Sequence, residues 1–446
     1  MHRIKDLSNL QIMIISMEKL TIDNFLVLSK VDIPIKKINI VIGPQSVGKS
    51  IIAKVLYFIY TIPSEIRDGI FEGSNEKEIF DAITESFKKI FPPQYWSLST
   101  FLITYRLDDL TIKIFNKEDK KNNLNIEFDK VHALELKQLT NLNRRFDQVI
   151  QERLTQSNLN FKSNESLKYK LDATEIKFDV FRDAIKNSKF NLFFGKSGAQ
   201  FVPAARAVFS IFSDNAALEN QTDDPIIKKF AQSYKTHSNL HQYVRCDNPQ
   251  TSSEILRNKV QKIFEKILKG KFLLKEKKAF LSINNQIISV KNISSGQQEI
   301  LPLMIMLSFE MFLTHTRLTP YFIEEPEAHL FPEAQCEVMN LISLLSYNFD
   351  SQFFITTHSP YLLTILNNFI YADELIKKGS LSIEKFNEIS NDGFPLDFND
   401  IHAFSIQNGE SISIMDSEFK LVDTNYLDTA SKNAEQIFDE LLSLDR

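Results

Sequence analysis

An α/β fold, a mixed sheet with flanking helices, is predicted by three features of the sequence. The apolar run Ile38–Ile42 ends in a Gly-rich turn, Gly43–Ser50, and Ile51–Tyr60 then has helical spacing. Two later apolar runs, 321–325 and 352–357, read as buried strands separated by one helix and a turn. Near the start, Leu20–Phe25, Leu26–Ile35 and Ile38–Ile42 are separated by polar turns, which predicts an antiparallel β-subdomain.

The remaining elements follow in order. Residues 1–16 form an extension, because Met17 opens a good strand and is a plausible working start. Residues 17–62 are the first part of the α/β unit. From 63 to 199 the pattern loosens into an inserted, mostly helical lobe, with a polar loop at Lys117–Asn123 and amphipathic stretches at His132–Gln156 and Ser163–Ser188. Residues 200–446 resume the α/β unit. There, Thr251–Glu254 caps a helix, and Phe272–Leu274 and Ala279–Val290 are strands, the second turning at Asn284–Asn285. Residues 401–415 form a hairpin turning at Asn408–Gly409, and Ala430–Leu444 is a closing helix.

Composition excludes several classes. With 43% hydrophobic and 24% charged residues, the 446-residue chain is a folded protein, not a disordered one. A net charge of −5 argues against a surface built wholly for a polyanion. Cys246 and Cys336 are far apart, which fits a reducing compartment and excludes a cysteine-based zinc site. No segment reaches the roughly 18 consecutive apolar residues of a membrane span. The longest candidate, Ile300–Leu313, contains Glu310, and Gln11–Ile15 is too short for a signal peptide. A cytoplasmic protein without membrane contact is expected.

Four motifs carry chemistry. Gly43, Pro44, Gln45, Ser46, Val47, Gly48, Lys49 and Ser50 match GxxxxGK[ST] between a strand and a helix. In that setting backbone N–H groups cradle phosphates, Lys49 bridges the β- and γ-phosphates of ATP, and Ser50 ligates Mg²⁺. A second Gly-Lys-Ser, at 195–197, is a decoy, because Phe190 stands where the first Gly belongs. The run Tyr321–Glu327 ends in paired carboxylates: Glu324 would hold the Mg²⁺ shell and Glu325 would polarise the attacking water. Ser295, Gly296 and Gln297 open an apolar helix, where backbone donors and a hydroxyl form either an anion site or an ordinary N-cap. His358 ends an apolar strand, with Ser359 as cap and Pro360 at the first helical position; from there an imidazole can reach a γ-phosphate.

Taken in order, these motifs resemble the head of ABC-type ATPases. Ser295–Gln297 is similar to the core of the LSGGQ signature, Glu324–Glu325 to Walker B with its catalytic carboxylate, and His358 to the switch histidine. The long separation of Lys49 from Ser295 is like the SMC, RecF and OLD-like branch. Asn24–Phe25, Phe201–Arg206, Ser294–Gln297, Glu324–Leu330 and Thr356–Pro360 resemble the OLD-like ATPases, including ATPase subunits of the anti-phage systems PARIS and Septu. The likeness covers about 17–62 and 200–446. It departs at Leu26, where many such heads carry a basic residue. Gln200 is a weak candidate for the Q-loop, and Arg206 either contacts phosphate or nucleic acid or braces the lobe.

The resemblance implies a P-loop ABC-type head that binds ATP and Mg²⁺ in a head-to-head ATP-sandwich dimer or larger oligomer. Ser295 and Gly296 would then complete the site of the second copy. It further implies an anti-phage sensor controlling a separately encoded nuclease or toxin. Two readings compete with this one. One is a RecF- or SMC-like DNA-binding ATPase using the lysines at 266, 269, 271, 275, 277 and 278, whose plainer reading is a solvated surface. The other is a nucleotide-gated scaffold with very slow turnover.

Overall fold

The computed structural model describes residues 17–116, 124–142, 145–146, 148–150, 152, 166–211, 222–241, 252–275, 278–308, 319–349 and 351–424. The extension 1–16, the loop 117–123 and the closing helix 430–444 lie outside the described residues, as do Thr251, Lys277 and Cys246. Among the described residues no helix is long and apolar enough to cross a membrane.

Fourteen strands define the frame: β1 (Glu18–Phe25), β2 (Leu28–Pro34), β3 (Ile38–Ile42), β4 (Phe101–Leu107), β5 (Leu110–Asn116), β6 (Leu124–Phe128), β7 (Gln200–Val202), β8 (Lys271–Lys275), β9 (Lys278–Ile283), β10 (Gln286–Ser289), β11 (Pro320–Glu324), β12 (Gln352–Thr357), β13 (Ile401–Gln407) and β14 (Glu410–Ser413). Eleven form one mixed sheet, ordered β6-β5-β4-β1-β2-β14-β13-β3-β12-β11-β7. Its β13-β3-β12-β11-β7 half is parallel, and β6-β5-β4-β1-β2 is antiparallel. This is the predicted α/β class with its antiparallel β-subdomain.

Strand periodicity places the core on both faces of the parallel half. In β3, Ile38, Ile40 and Ile42 pack on one face while Val41 packs on the other. The same split separates Tyr321 and Ile323 from Phe322, and Phe353 and Ile355 from Phe354. Strands buried on both faces read as continuous apolar runs, which is why they are visible in the sequence. The helix Lys49–Glu72 covers the Val41 face, and Ser295–Ser308, Pro332–Phe349 and Pro360–Lys377 cover the other.

Two expectations are corrected. The helix predicted to end at Tyr60 runs through Pro63 to Glu72. Proline removes one backbone donor, and the buried Ile62, Ile66 and Ile70 hold the helix together beyond it. The boundary expected at residue 62 therefore falls within a helix. The 63–199 stretch also carries β4–β6; β4 pairs with β1, and β5 and β6 extend the main sheet beyond it. Both predicted hairpin turns are present: Asn284 and Asn285 have positive φ, as do Asn408 and Gly409.

The decoy Gly-Lys-Ser has a structural role. Lys196 is buried and pairs with Glu18 at 2.6 Å and with Gln352 Oε1 at 3.0 Å. Tyr60 and Tyr105 donate their hydroxyls to the same Glu18 oxygen. This ties β1, β4 and the first helix to the start of β12.

His402 in β13 is buried and stacked on Phe404. Burial, aided by the charge of Lys36, lowers its pKa to about 4. The folded state therefore excludes a proton that the unfolded chain accepts below about pH 6.5. The contribution of neutral His402 is complete above that pH and is lost as pH falls toward 4. We expect His402→Phe to remove up to about 3 kcal/mol of this acid sensitivity. Paired denaturant melts of wild type and variant between pH 7 and pH 4 measure it, and parallel pH profiles would refute it.

Candidate ATPase site

Register brings the motifs to one edge. Glu324 pairs with Thr356, Thr356 with Val41, and Thr357 with Ile42. The C-terminal ends of β11, β12 and β3 are therefore level, and the chain that leaves each one carries a motif. Ligands of open α/β sheets bind at such carboxyl edges.

The loop 43–50 has the required backbone. Gly43, Ser46 and Gly48 all have positive φ, and Gly48 is the N-cap of the Lys49–Glu72 helix. A Cβ at Gly48 would stand 2.6 Å from Leu28 Cδ2, so glycine is required there by both conformation and space. Lys49 Nζ donates to the carbonyls of Gly43 (2.8 Å) and Pro44 (2.6 Å), bonds that phosphate oxygens can replace. Burial lowers the Lys49 pKa, opposed by the charges of Glu325 and Glu327. Ser50 lies exposed at the helix start.

Lys49, His358 and Glu325 come from three separate segments. His358 Nε2 lies 3.3 Å from Lys49 Nζ and 3.1 Å from Glu325 Oε1. Glu325 has φ 45°, a left-handed conformation costing roughly 1–3 kcal/mol for a side-chain-bearing residue. Its N–H is anchored to Thr356 O at 2.9 Å. Beside it, Glu324 is buried; Oε2 accepts from Ala204 N at 3.1 Å, and Oε1 has no hydrogen-bond partner. An orphaned buried carboxylate oxygen at this edge fits an outer ligand of a magnesium ion, alongside the Ser50 hydroxyl.

Glu327, a residue whose role its local sequence does not reveal, braces these segments. It accepts from Thr357 Oγ1 (2.6 Å) and from His358 N (2.7 Å), clamping the end of β12 to the loop after β11. Its signal was the third carboxylate of Glu-Glu-Pro-Glu.

The signature segment is partly occupied within the chain. Ser294 and Gln297 form a reciprocal capping pair, with Ser294 N donating to Gln297 Oε1 (3.1 Å) and Gln297 N to Ser294 Oγ (3.3 Å). Gln297 Nε2 donates to Leu268 O at 2.6 Å, which tethers this side chain within the chain. Ser295 is exposed. A Cβ at Gly296 would lie 2.7 Å from His329 O, which explains glycine at this close backbone contact. Pro302 within the same helix has no N–H for Gln298 O, and Ser210 Oγ donates to that carbonyl instead at 2.6 Å.

Arg206 is fully buried and cannot touch nucleic acid. It joins the signature helix to the end of β11 through bonds to Glu299, Glu324 and Glu325. Gln200 pairs with Tyr321 in the sheet, and its Nε2 donates to Gly198 O at 3.1 Å. In the basic stretch, Lys266 is paired with Asn391 (2.8 Å) and Asp392 (3.3 Å), whereas Lys269, Lys271, Lys275 and Lys278 are exposed.

A family model described as an AAA ATPase domain matches residues 13–363. Solved structures similar to the chain include an Smc head bound to the C-winged helix domain of ScpA, at 13% identity over 91% of this chain and 99% of that one, TM-score 0.43. The SMC head domain from Thermotoga maritima matches at 11% identity over 89% and 98%, TM-score 0.33. The recombination mediator RecF matches at 14% identity over 90% and 98%, TM-score 0.30. No curated relative matches the sequence.

Proposed function

The chain belongs to the AAA ATPase domain family, and from that premise we propose an ATP-driven conformational switch whose hydrolytic site is completed by a second copy. The observation that carries this reading is the convergence of Lys49, His358 and Glu325, with gaps of 3.3 and 3.1 Å, at the edge where the phosphate loop begins. Lys49 leaves the loop carbonyls for the β- and γ-phosphates. Glu325 polarises water, and His358 stands between the two to sense the terminal phosphate. Ser50, with Glu324 through water, would hold a magnesium ion, which supplies charge neutralisation at the phosphates.

The second copy is supported by what surrounds the site. Val27 beside Gly48, Phe331 after the Glu324–Leu330 loop, and Tyr361 after His358 are 55%, 84% and 53% exposed. Apolar side chains left open around a charged cleft favour a partner surface. Exposed Ser295, at the start of its helix, offers an anion-binding group that a second copy would bring to the site. ATP that binds the closed pair preferentially would then time closure and release.

For the role of the switch, the OLD-like motif set supports an anti-phage sensor that holds or activates a separately encoded nuclease or toxin. A specific observation favours the DNA-binding alternative. The exposed lysines of β8 and β9 lie on the three-stranded sheet β8–β10, and the segments flanking that sheet are tied to the signature helix, Leu268 O by Gln297 and Val290 O and Lys291 O by Gln298. Light scattering tests the shared site: Glu325→Gln should double in mass with ATP and Mg²⁺ but not with ADP. A monomer at saturating ATP would contradict it. Co-expression with neighbouring gene products, beside a salt-titrated DNA-binding assay, separates the two roles.

A further inference from the structure

The guanidinium of Arg206 is fully buried, and one of its acceptors is the backbone carbonyl of Glu324, 118 residues away in sequence. Burial pulls the Arg206 pKa down, so the group is held in an unfavourable place by specific partners. Beside Pro203 O in its own turn, 3.2 Å from Nη1, those partners are on two elements. Toward the end of β11, Nη1 donates to Glu324 O at 2.8 Å and Nη2 to Glu325 O at 3.0 Å. Toward the signature helix, Nε donates to Glu299 O at 3.0 Å. Glu299 returns its carboxylate to the same turn, accepting from Arg206 N at 3.0 Å and Ala207 N at 2.9 Å. Ala204 of that turn donates to the Glu324 carboxylate at 3.1 Å.

We propose that Arg206 is the positioning residue for Glu325, and that through Glu299 it makes the placement of Glu325 follow the position of the signature helix. The planar fork satisfies two consecutive carbonyls at once, which fixes the peptide on either side of a residue held at φ 45°. Without the fork, Glu325 relaxes from its left-handed conformation and its carboxylate leaves His358. Because the same turn is bonded to Glu299, a shift of the helix that begins at Ser295 is carried to the carboxylate that polarises water. The proposal rests on the reading of Glu325 as that carboxylate.

The test compares Arg206→Lys and Glu299→Gln with Glu325→Gln in the full-length chain, measuring kcat, KM for ATP, binding of a fluorescent ATP analogue and the thermal midpoint. Lysine keeps the charge but cannot span both carbonyls. We expect Arg206→Lys to lower kcat about 10- to 100-fold with KM within about threefold. Glu299→Gln should lower kcat about 3- to 10-fold, also with little change in KM. A purely structural brace would lower the thermal midpoint and leave kcat at the wild-type value, which overturns the proposal. If Arg206→Lys does not fold, Glu299→Gln decides by the same kcat criterion. Wild-type kcat in both variants beside an inactive Glu325→Gln refutes the positioning link alone. An active Glu325→Gln refutes the assignment on which the link rests.

Discussion

Glu325→Gln is expected to bind ATP as tightly as wild type while its turnover falls by about 10²- to 10⁴-fold, the range for removing a general base. Glutamine keeps the size of the side chain and its bond to His358 Nε2, now 3.1 Å from Glu325 Oε1, but cannot take a proton from water. The backbone should hold, since Glu325 N is anchored to Thr356 O and its carbonyl to Arg206. Single-turnover hydrolysis beside equilibrium binding checks this. Equal, slow turnover in wild type and variant would favour a nucleotide-gated scaffold. Rapid turnover in the variant would move the base elsewhere.

Lys49→Ala should act on binding instead. The ammonium is buried against the loop, 2.8 and 2.6 Å from two of its carbonyls, and those donors are what a triphosphate receives. Charge-assisted hydrogen bonds contribute about 1.5–3 kcal/mol, so ATP affinity should fall roughly 10- to 100-fold. Hydrolysis should fall further, because Lys49 also opposes the charge that develops on the transferred phosphoryl group. A titration with a fluorescent ATP analogue reads the first effect. Unchanged affinity would mean that Lys49 stays on Gly43 and Pro44 when nucleotide binds.

Much of the site was legible because its strands are buried on both faces. Ile38–Ile42, 321–325 and 352–357 show as apolar runs, and each delivers its motif at the carboxyl edge. The phosphate loop was legible from glycines that the backbone demands, above all Gly48 with its φ of 105°. Strands β4 and β5 were missed although they alternate, because the turn at Asp108 lacks the glycine that announces a hairpin. The helix beyond Tyr60 was missed because Pro63 reads as a stop when burial is invisible. Arg206 was visible as a motif residue, but its work depends on Glu299, 93 residues away, and pairings of that range are not encoded in local pattern. Gln297 was legible from the motif, but its bonds to Ser294 and Leu268 were not, since they depend on how the segment before the helix folds back on it.

Mixing two inactive variants tests most directly whether the site is shared between two copies. Lys49→Ala disables the phosphate loop of one copy, and Ser295→Arg blocks the signature that would close over the other. Each pure variant should hydrolyse almost no ATP. An equal mixture contains pairs in which an intact loop faces an intact Ser295, and should recover roughly a quarter of wild-type activity if pairing is random and closed. A mixture no more active than either variant alone, with both folded and pairing, would contradict the shared site and return hydrolysis to the single chain.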